Sequence, residues 1–260
     1  MQNKSGFNRY FFRTLIALVC FSSLLLASCN SDSNTATSKP ETYPRKPTTS
    51  EAQLFSEIFV NNYNDKNARY LAYAGTLPSK GFISRGIVDW ENSIYSTDVA
   101  LTKDGDTDIK SIVSKTETYE TYIEIEKGFQ DNGLEPRDWI LRNFDPETYG
   151  NDALVQALSV LSNETAENPL LLSQNGVQVL GKDKVNDVDT TVFKGADSRI
   201  YFVSSDARMQ KVVGKLSGFN AKVTLTFYER GSQQIQVPSK DAVYPVSEVE
   251  NWYYQLRPNF

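Results

Sequence analysis

Hydrophobic positions along this chain change their period several times, and each change marks an element. Leu54, Phe55, Ile58 and Phe59 recur at helical spacing, the mark of a helix with one apolar face. Ser50 stands ahead of them as the expected N-cap, with Glu51 in the first turn, where an acceptor and an anion both serve the unpaired amides. Asn61-Asn62 and Asn64-Asp65 signal the helix end. From Arg69 to Lys127 the period falls to two. Phe82, Ser84, Val88 and Trp90 alternate with Ile83, Arg85, Ile87 and Asp89, and Tyr95, Thr97, Val99 and Leu101 share one face. Tyr119, Thr121, Ile123 and Ile125 then stand on one side, opposite Glu120, Tyr122, Glu124 and Glu126. Breaks at Pro78–Gly81 and Asp104-Gly105-Asp106 divide the run into an antiparallel meander with one apolar and one wet face.

Helical spacing returns in the middle of the chain. Asn151 or Asp152 is placed to cap a helix whose Leu154, Ala157, Leu158 and Leu161 form a stripe. Asn168-Pro169 opens a short turn through Leu170, Leu171 and Leu172, with proline at the first helical position, where its missing N–H costs nothing. Period two resumes from Val177. Lys182–Val185 and Val188–Phe193 flank Asn186-Asp187, a pair that tolerates the positive φ of a two-residue hairpin. Further strands are expected near Arg199–Val203, Gln210–Lys215, Lys222–Tyr228 and Gln233–Val237. The order is helix, long meander, helical insert, second meander. It predicts an α+β fold: one large curved antiparallel sheet, a half-barrel wrapped on a few helices.

The N-terminal segment has the three parts of a secretory signal. Lys4, Arg9 and Arg13 form a basic n-region, Leu15 to Leu26 an apolar core, and small residues precede Cys29. An apolar run of about a dozen residues is too short to span a bilayer as a helix, which needs roughly 20. Leu26-Ala27-Ser28-Cys29 resembles the lipobox of bacterial lipoproteins, in which the cysteine thiol takes a diacylglycerol and becomes the new N-terminus. This implies a signal peptide over 1–28, lipidation at Cys29, and attachment to the extracytoplasmic face of the cell membrane. Residues 30–50 are rich in Ser, Thr, Pro and Asn and read as a disordered tether. Residues 51–260 are expected to form a single domain.

Composition narrows the chemistry. The sequence has 27 basic and 32 acidic residues for a net charge of −5, and three of the basic ones lie in the signal, so the processed chain carries −8. Nucleic acid is a poor partner for such a chain. Of the two cysteines, Cys20 lies in the signal and Cys29 at the acylation position, so no disulfide is expected. There is no histidine, which removes the commonest general base, the His-dependent nucleophile systems and nearly every zinc site. No cofactor is expected.

Three segments of the second meander resemble the LppX/LprA/LprF/LprG family of actinobacterial lipoproteins. Gly181 to Thr191 is similar to that family's G-x-x-x-V-D-G-V-x-T-T hairpin, with Asn186-Asp187 in place of Asp-Gly. Arg199 to Val203 with Asp206, Arg208 and Lys211 resembles its V-x-W-V-D-x-x-G-R strand turn, with Phe202 at the Trp and Ala207 at the Gly position. Val223 to Phe227, Gly231, Val237-Pro238 and Asp241 to Val243 resemble its last strands. The resemblance implies a half-barrel that holds the acyl chains of a lipid or glycolipid between sheet and helices and carries them through the envelope, with an envelope transporter as partner. Ile123, Ile125, Leu154, Leu158 and Leu161 are then the expected cavity lining; otherwise they are ordinary core. The alternative is a surface interaction module with a solid core that binds a protein.

Acidic clusters are the other candidates for chemistry. Asp104, Asp106 and Asp108 alternate as in a calcium loop, but Lys115 occupies the position at which an EF-hand needs a bidentate glutamate. Glu124 with Glu126, or Asp145 with Glu147, is spaced for a carboxylate pair, and neither is accompanied by a nucleophile segment. The expectation is a non-enzymatic protein. Trp252, Tyr253, Tyr254 and Phe260 belong to a tail that closes the sheet edge or to a lip at headgroup depth.

Overall fold

A computed structural model describes residues 41–76, 80–101, 107–215 and 222–258. The signal, Cys29, the tether up to residue 40, and Asp104 and Asp106 of the acidic loop lie outside the described residues. The compact unit runs from Thr42 to Phe260. It opens with α1 (Thr49–Ser56) and α2 (Ile58–Asp65), followed by β1 (Asn67–Thr76), β2 (Lys80–Asp89), β3 (Ile94–Ala100), β4 (Ile109–Val113) and β5 (Glu117–Tyr122). Then come α3 (Ile125–Asp131), β6 (Trp139–Asn143), α4 (Gly150–Ser159) and α5 (Pro169–Gln174). The second meander is β7 (Gln178–Val185), β8 (Val188–Lys194), β9 (Ile200–Ser204), β10 (Met209–Lys215) and β11 (Lys222–Tyr228), closed by β12 (Val243–Pro245) and α6 (Val246–Leu256).

These twelve strands form one curved, unclosed sheet in the order β12-β6-β5-β4-β3-β2-β1-β11-β10-β9-β8-β7. Each meander pairs with itself, and β1 joins them by running antiparallel to β11 from Arg69↔Tyr228 to Ala74↔Val223. Among the described strands only β12 pairs in parallel, on β6. Register shifts at Val179/Gly181 and Met209/Lys211 supply bulges, which bend a strand and sharpen its twist. The Asn186-Asp187 turn has φ of 49° and 64°, the double left-handed conformation that a two-residue hairpin needs.

Alternation set most of the inner face. Phe82, Ser84, Val88 and Trp90 are buried, as are Tyr95, Thr97 and Val99, and their apolar members join one core with the helices. On β5 the expected faces are reversed. Thr118, Glu120 and Tyr122 point into the core, Tyr119 and Thr121 point away, and the strand ends before Ile123, which is 71% exposed in a turn. Ile125 is buried, but at the start of α3 rather than on a strand. The cause is a set of basic partners distant in sequence: Glu120 is 0% exposed and ion-paired to Arg142 and Arg257. A buried charge is tolerable once it is paired and hydrogen-bonded.

Other expectations shift for local reasons. Thr48, not Ser50, caps α1 and forms a full capping box with Glu51. The folded unit also reaches into the segment expected as tether, because Arg45 bridges Val179 and ion-pairs Glu51 at 2.6 Å. Asn151 and Asp152 lie inside α4, which starts one residue earlier, and both are buried. Pro169 takes the first position of α5 as expected, and Asn168 caps the helix by accepting from the Leu170 amide at 2.9 Å. Residues 233–237 are irregular rather than a strand, and the aromatic C-terminus is a helix with Trp252 and Tyr253 buried.

The Arg45 guanidinium beside Glu51, reinforced by Thr48, lowers that carboxyl from 4.5 to about 2 against the opposing effect of burial. A depressed folded value means stability present above the unfolded value and lost as pH falls through the folded one. Glu51→Gln should therefore cost about 1 kcal/mol at neutral pH, after discounting for solvent screening. It should also flatten the stability profile between pH 4.5 and about 2. Urea unfolding at several pH values in that window measures both effects.

Candidate functional site

A groove of about 500 Å³ opens where the helices meet the far end of the sheet. Phe55 of α1 and Phe59 of α2 form one wall; Val160, Ser162, Asn163 and Glu167 of the α4–α5 connection form the rim. Leu172 of α5, Val177 ahead of β7, the β8–β9 turn from Gly195 to Arg199, and Tyr201 complete it. The apolar floor is an aromatic cluster. Phe55 meets Phe193 at 5.0 Å and Tyr201 edge-on at 5.3 Å, and Phe59 meets Tyr201 edge-on at 6.0 Å. Such edge-to-face contacts hold rings at defined angles and fix the wall shape.

The polar rim holds the floor in place. Tyr201 donates its hydroxyl to Asp197 Oδ2 at 2.6 Å, and the Arg199 amide donates to Asp197 Oδ1 at 3.0 Å. Burial, then the Asp197 contact, pushes the Tyr201 phenol well above its usual value, so it remains a donor. Gly195 is required by close approach: a Cβ there would lie 2.7 Å from Asp197 Oδ1 and 2.9 Å from the Tyr201 ring. Glu167 is pushed up by burial and then by the charge of Asp197. The Glu167 amide donates to the Ser56 carbonyl at 3.1 Å and that of Asn163 to the Phe59 carbonyl at 3.2 Å, which stitches the rim onto α1 and α2.

Ser162 and Asn163 also border a second groove of about 470 Å³, lined by Ser93, Ser159, Thr165, Glu164, Tyr63, Trp90 and Tyr95. No basic side chain is among its described lining residues. The two grooves lie on either side of one loop, the first mostly apolar and the second rich in hydroxyls. A third, of about 580 Å³, is lined by Lys110 and Thr121 of β4–β5, Ile125 and Glu126 of α3, and Arg137 and Trp139.

Of the expected lining residues, none borders the 500 Å³ groove. Leu154, Leu158 and Leu161 are 0% exposed within the core; a void wide enough for water would leave them partly uncovered. Ile123 projects into solvent, and Ile125 borders the third groove beside Pro136 and Trp139. Phe55 and Phe59 are legible in the sequence as an apolar helix face, but nothing in their spacing marks them as groove rather than core. Gly195, Asp197 and Tyr201 come from a turn whose contact with α1 is tertiary.

Three of the acidic candidates, Asp145, Glu126 and Asp108, accept local hydrogen bonds. Asp145 accepts from the amides of Glu147 and Thr148, each at 3.1 Å, a local turn. Glu126 accepts from Gln130, one turn on in α3, and Asp108 accepts from the Leu101 amide at 2.7 Å. Among the described residues no group of His, Cys, Asp and Glu side chains is arranged to hold a metal. No described helix is long and apolar enough to cross a membrane.

No family model and no curated protein matches the chain. Solved structures do show a distant likeness. An uncharacterized conserved protein from Thermus thermophilus aligns with a TM-score of 0.38 and 8% identity, over 75% of this chain and 98% of its own. A chain of the Pseudomonas aeruginosa MucA/MucB complex aligns at 0.30 and 12%, over 74% of this chain and 59% of that one. A LolA superfamily protein from Nitrosomonas europaea aligns at 0.25 and 9%, over 71% and 93%. These values are too low for the likenesses to carry an argument about function.

Proposed function

We propose that this protein is a non-enzymatic, membrane-anchored lipid binder that takes an acyl chain into the groove between α1, α2, α5 and the β8–β9 turn. The observation that carries this reading is the groove itself: about 500 Å³ at the helix–sheet seam, floored by Phe55, Phe59, Leu172 and Tyr201. That volume is in the range of small-molecule sites, which are mostly apolar with a few fixed polar groups. Burying about eight methylenes at ~0.8 kcal/mol each supplies roughly 6 kcal/mol, a useful affinity without a headgroup contact. The adjoining hydroxyl-lined groove has no basic side chain among its described lining residues, so an uncharged polar headgroup fits it better than a phosphate. The lipobox at Cys29 and the family resemblance of residues 181–243 support anchoring on the extracytoplasmic face and carriage through the envelope. An envelope transporter is the corresponding partner.

One observation favours the alternative of a protein-binding module: Leu154 and Leu158 of α4, with Leu161 in the turn beyond it, are packed solid. A single experiment separates the two readings. Processed protein is purified, washed free of detergent and extracted with organic solvent; chains covalently linked to Cys29 stay with the polypeptide. The carrier reading expects a defined lipid in near-stoichiometric yield. Protein that yields none, even after incubation with envelope lipid extract, is the interaction module.

A further inference from the structure

Three of the exposed apolar side chains belong to segments that border the groove. Leu170 and Leu171 on α5 are 71% and 52% exposed, and Val160, which itself borders the groove, is 56% exposed. Their neighbour Leu172 turns inward as part of the groove floor. The short helix α5 thus presents two leucines to water and one to the groove. Leu170 and Leu171 are adjacent, and exposed apolar side chains grouped beside a groove mark a contact with another apolar body.

We infer that this rim, Val160 with Leu170 and Leu171, is a membrane-docking surface that sets the groove mouth against the outer layer of a lipid bilayer. The inference rests on the lipid-binding reading and on anchoring at Cys29. Chain geometry selects the occupant. The compact unit begins at Thr42, and Arg45 bridges Val179 and pairs with Glu51 of α1. The chain therefore enters the unit against β7 and α1; α1 carries Phe55 and Val177 lies just ahead of β7, both lining the groove. The 13 residues from Cys29 to Thr42 span at most about 45 Å when fully extended. An anchor so close keeps this side of the domain within reach of the bilayer that holds it.

Electrostatics specify the kind of surface. Glu164, Glu167 and Asp197 line the two grooves at this end, with Arg199 as the cation among their described lining residues, and the processed chain is acidic. Docking is therefore apolar, insensitive to salt, and better on zwitterionic than on anionic lipid. A headgroup-directed protein would show the opposite preferences.

The full chain carrying Val160→Cys, labelled with an environment-sensitive fluorophore, is reconstituted in phosphatidylcholine vesicles containing a spin-labelled lipid. Val237→Cys, on an exposed residue of the 233–237 segment, is the control position, and the wild type sets the labelling background. The probe at 160 should be quenched at least about threefold more than that at 237, and unchanged in about 1 M salt. Leu170→Ser with Leu171→Ser should reduce the docked population by on the order of tenfold or more, bringing quenching to the control level. Equal quenching at both positions overturns the inference. So does protection at 160 that grows with protein concentration, which would assign the rim to a protein partner. Extractable lipid is measured on the same samples: its absence from both proteins refutes the lipid-binding reading separately from the docking result.

Discussion

Glu120→Gln is expected to lower the unfolding free energy by on the order of 3–5 kcal/mol, the cost of leaving a buried charge without its partner. Oε1 of Glu120 accepts from Arg257 Nε at 2.6 Å and Tyr253 Oη at 2.8 Å. Oε2 accepts from Arg142 Nη2 and Arg257 Nη2, both at 3.0 Å, and from Asn151 Nδ2 at 3.3 Å. An amide would replace one of these acceptors by a donor facing guanidinium N–H groups. Four ties weaken at once: β6 through Arg142, α4 through Asn151, α6 through Tyr253, and the chain after α6 through Arg257. Burial pushes the Glu120 carboxyl up, but Arg257 and Arg142 outweigh it and hold it below its usual value. The stabilisation is thus present above the ordinary carboxylate range and lost as pH falls through the lower folded value. Since domains are stable by only about 5–15 kcal/mol, the variant should unfold at markedly lower urea concentration. A loss below about 1 kcal/mol would show that the network is not what holds α6 in place. Pairing Glu120→Gln with Arg257→Met should cost less than the sum of the two single changes, because the second removes a charge that the first has stranded.

Phe59→Glu is the larger expected effect on binding. Phe59 is partly buried, packs edge-on against Tyr201 and borders the groove. A carboxylate there must either desolvate against an acyl chain or keep water in the groove. Either costs about 3 kcal/mol, on the order of a hundredfold in affinity. Fluorescent fatty-acid titration measures it, with the far-ultraviolet spectrum and urea midpoint confirming the fold. Phe59→Leu, which keeps the wall apolar, should stay within about threefold. Equal affinity for the Glu variant and the wild type would remove the groove as the binding site. Leu158→Arg would not serve as this test: with Leu158 wholly enclosed, the substitution buries an unpaired charge in the core and destabilises the fold itself.

What the sequence determined by itself was local. Alternation in β2 and β3 sorted their residues into two faces because side chains on a strand point to opposite sides with a period of two. Asn186-Asp187 set a tight hairpin because both residues tolerate positive φ, and Asn168-Pro169 started α5 because proline at the first helical position loses no hydrogen bond. The absence of histidine excludes a histidine general base and histidine metal ligands within this sequence, and no more than that. Where a residue's fate depends on a distant partner, the local pattern pointed the wrong way. Glu120 read as the wet face of β5, yet Arg142 and Arg257, 22 and 137 residues away, make the core its favourable place. Asn151 and Asp152 read as caps and are instead members of that network inside α4. The stripe identified Leu154 and Leu158 as the buried face of α4, while Leu161, also buried, lies in the turn beyond the helix; it did not say what fills the space beside them. Periodicity records which side of an element is apolar; only packing decides whether that side meets another side chain or an opening. The candidate groove was settled at that second level, where the Gly195–Tyr201 turn closes on Phe55 and Phe59 from well over a hundred residues along the chain.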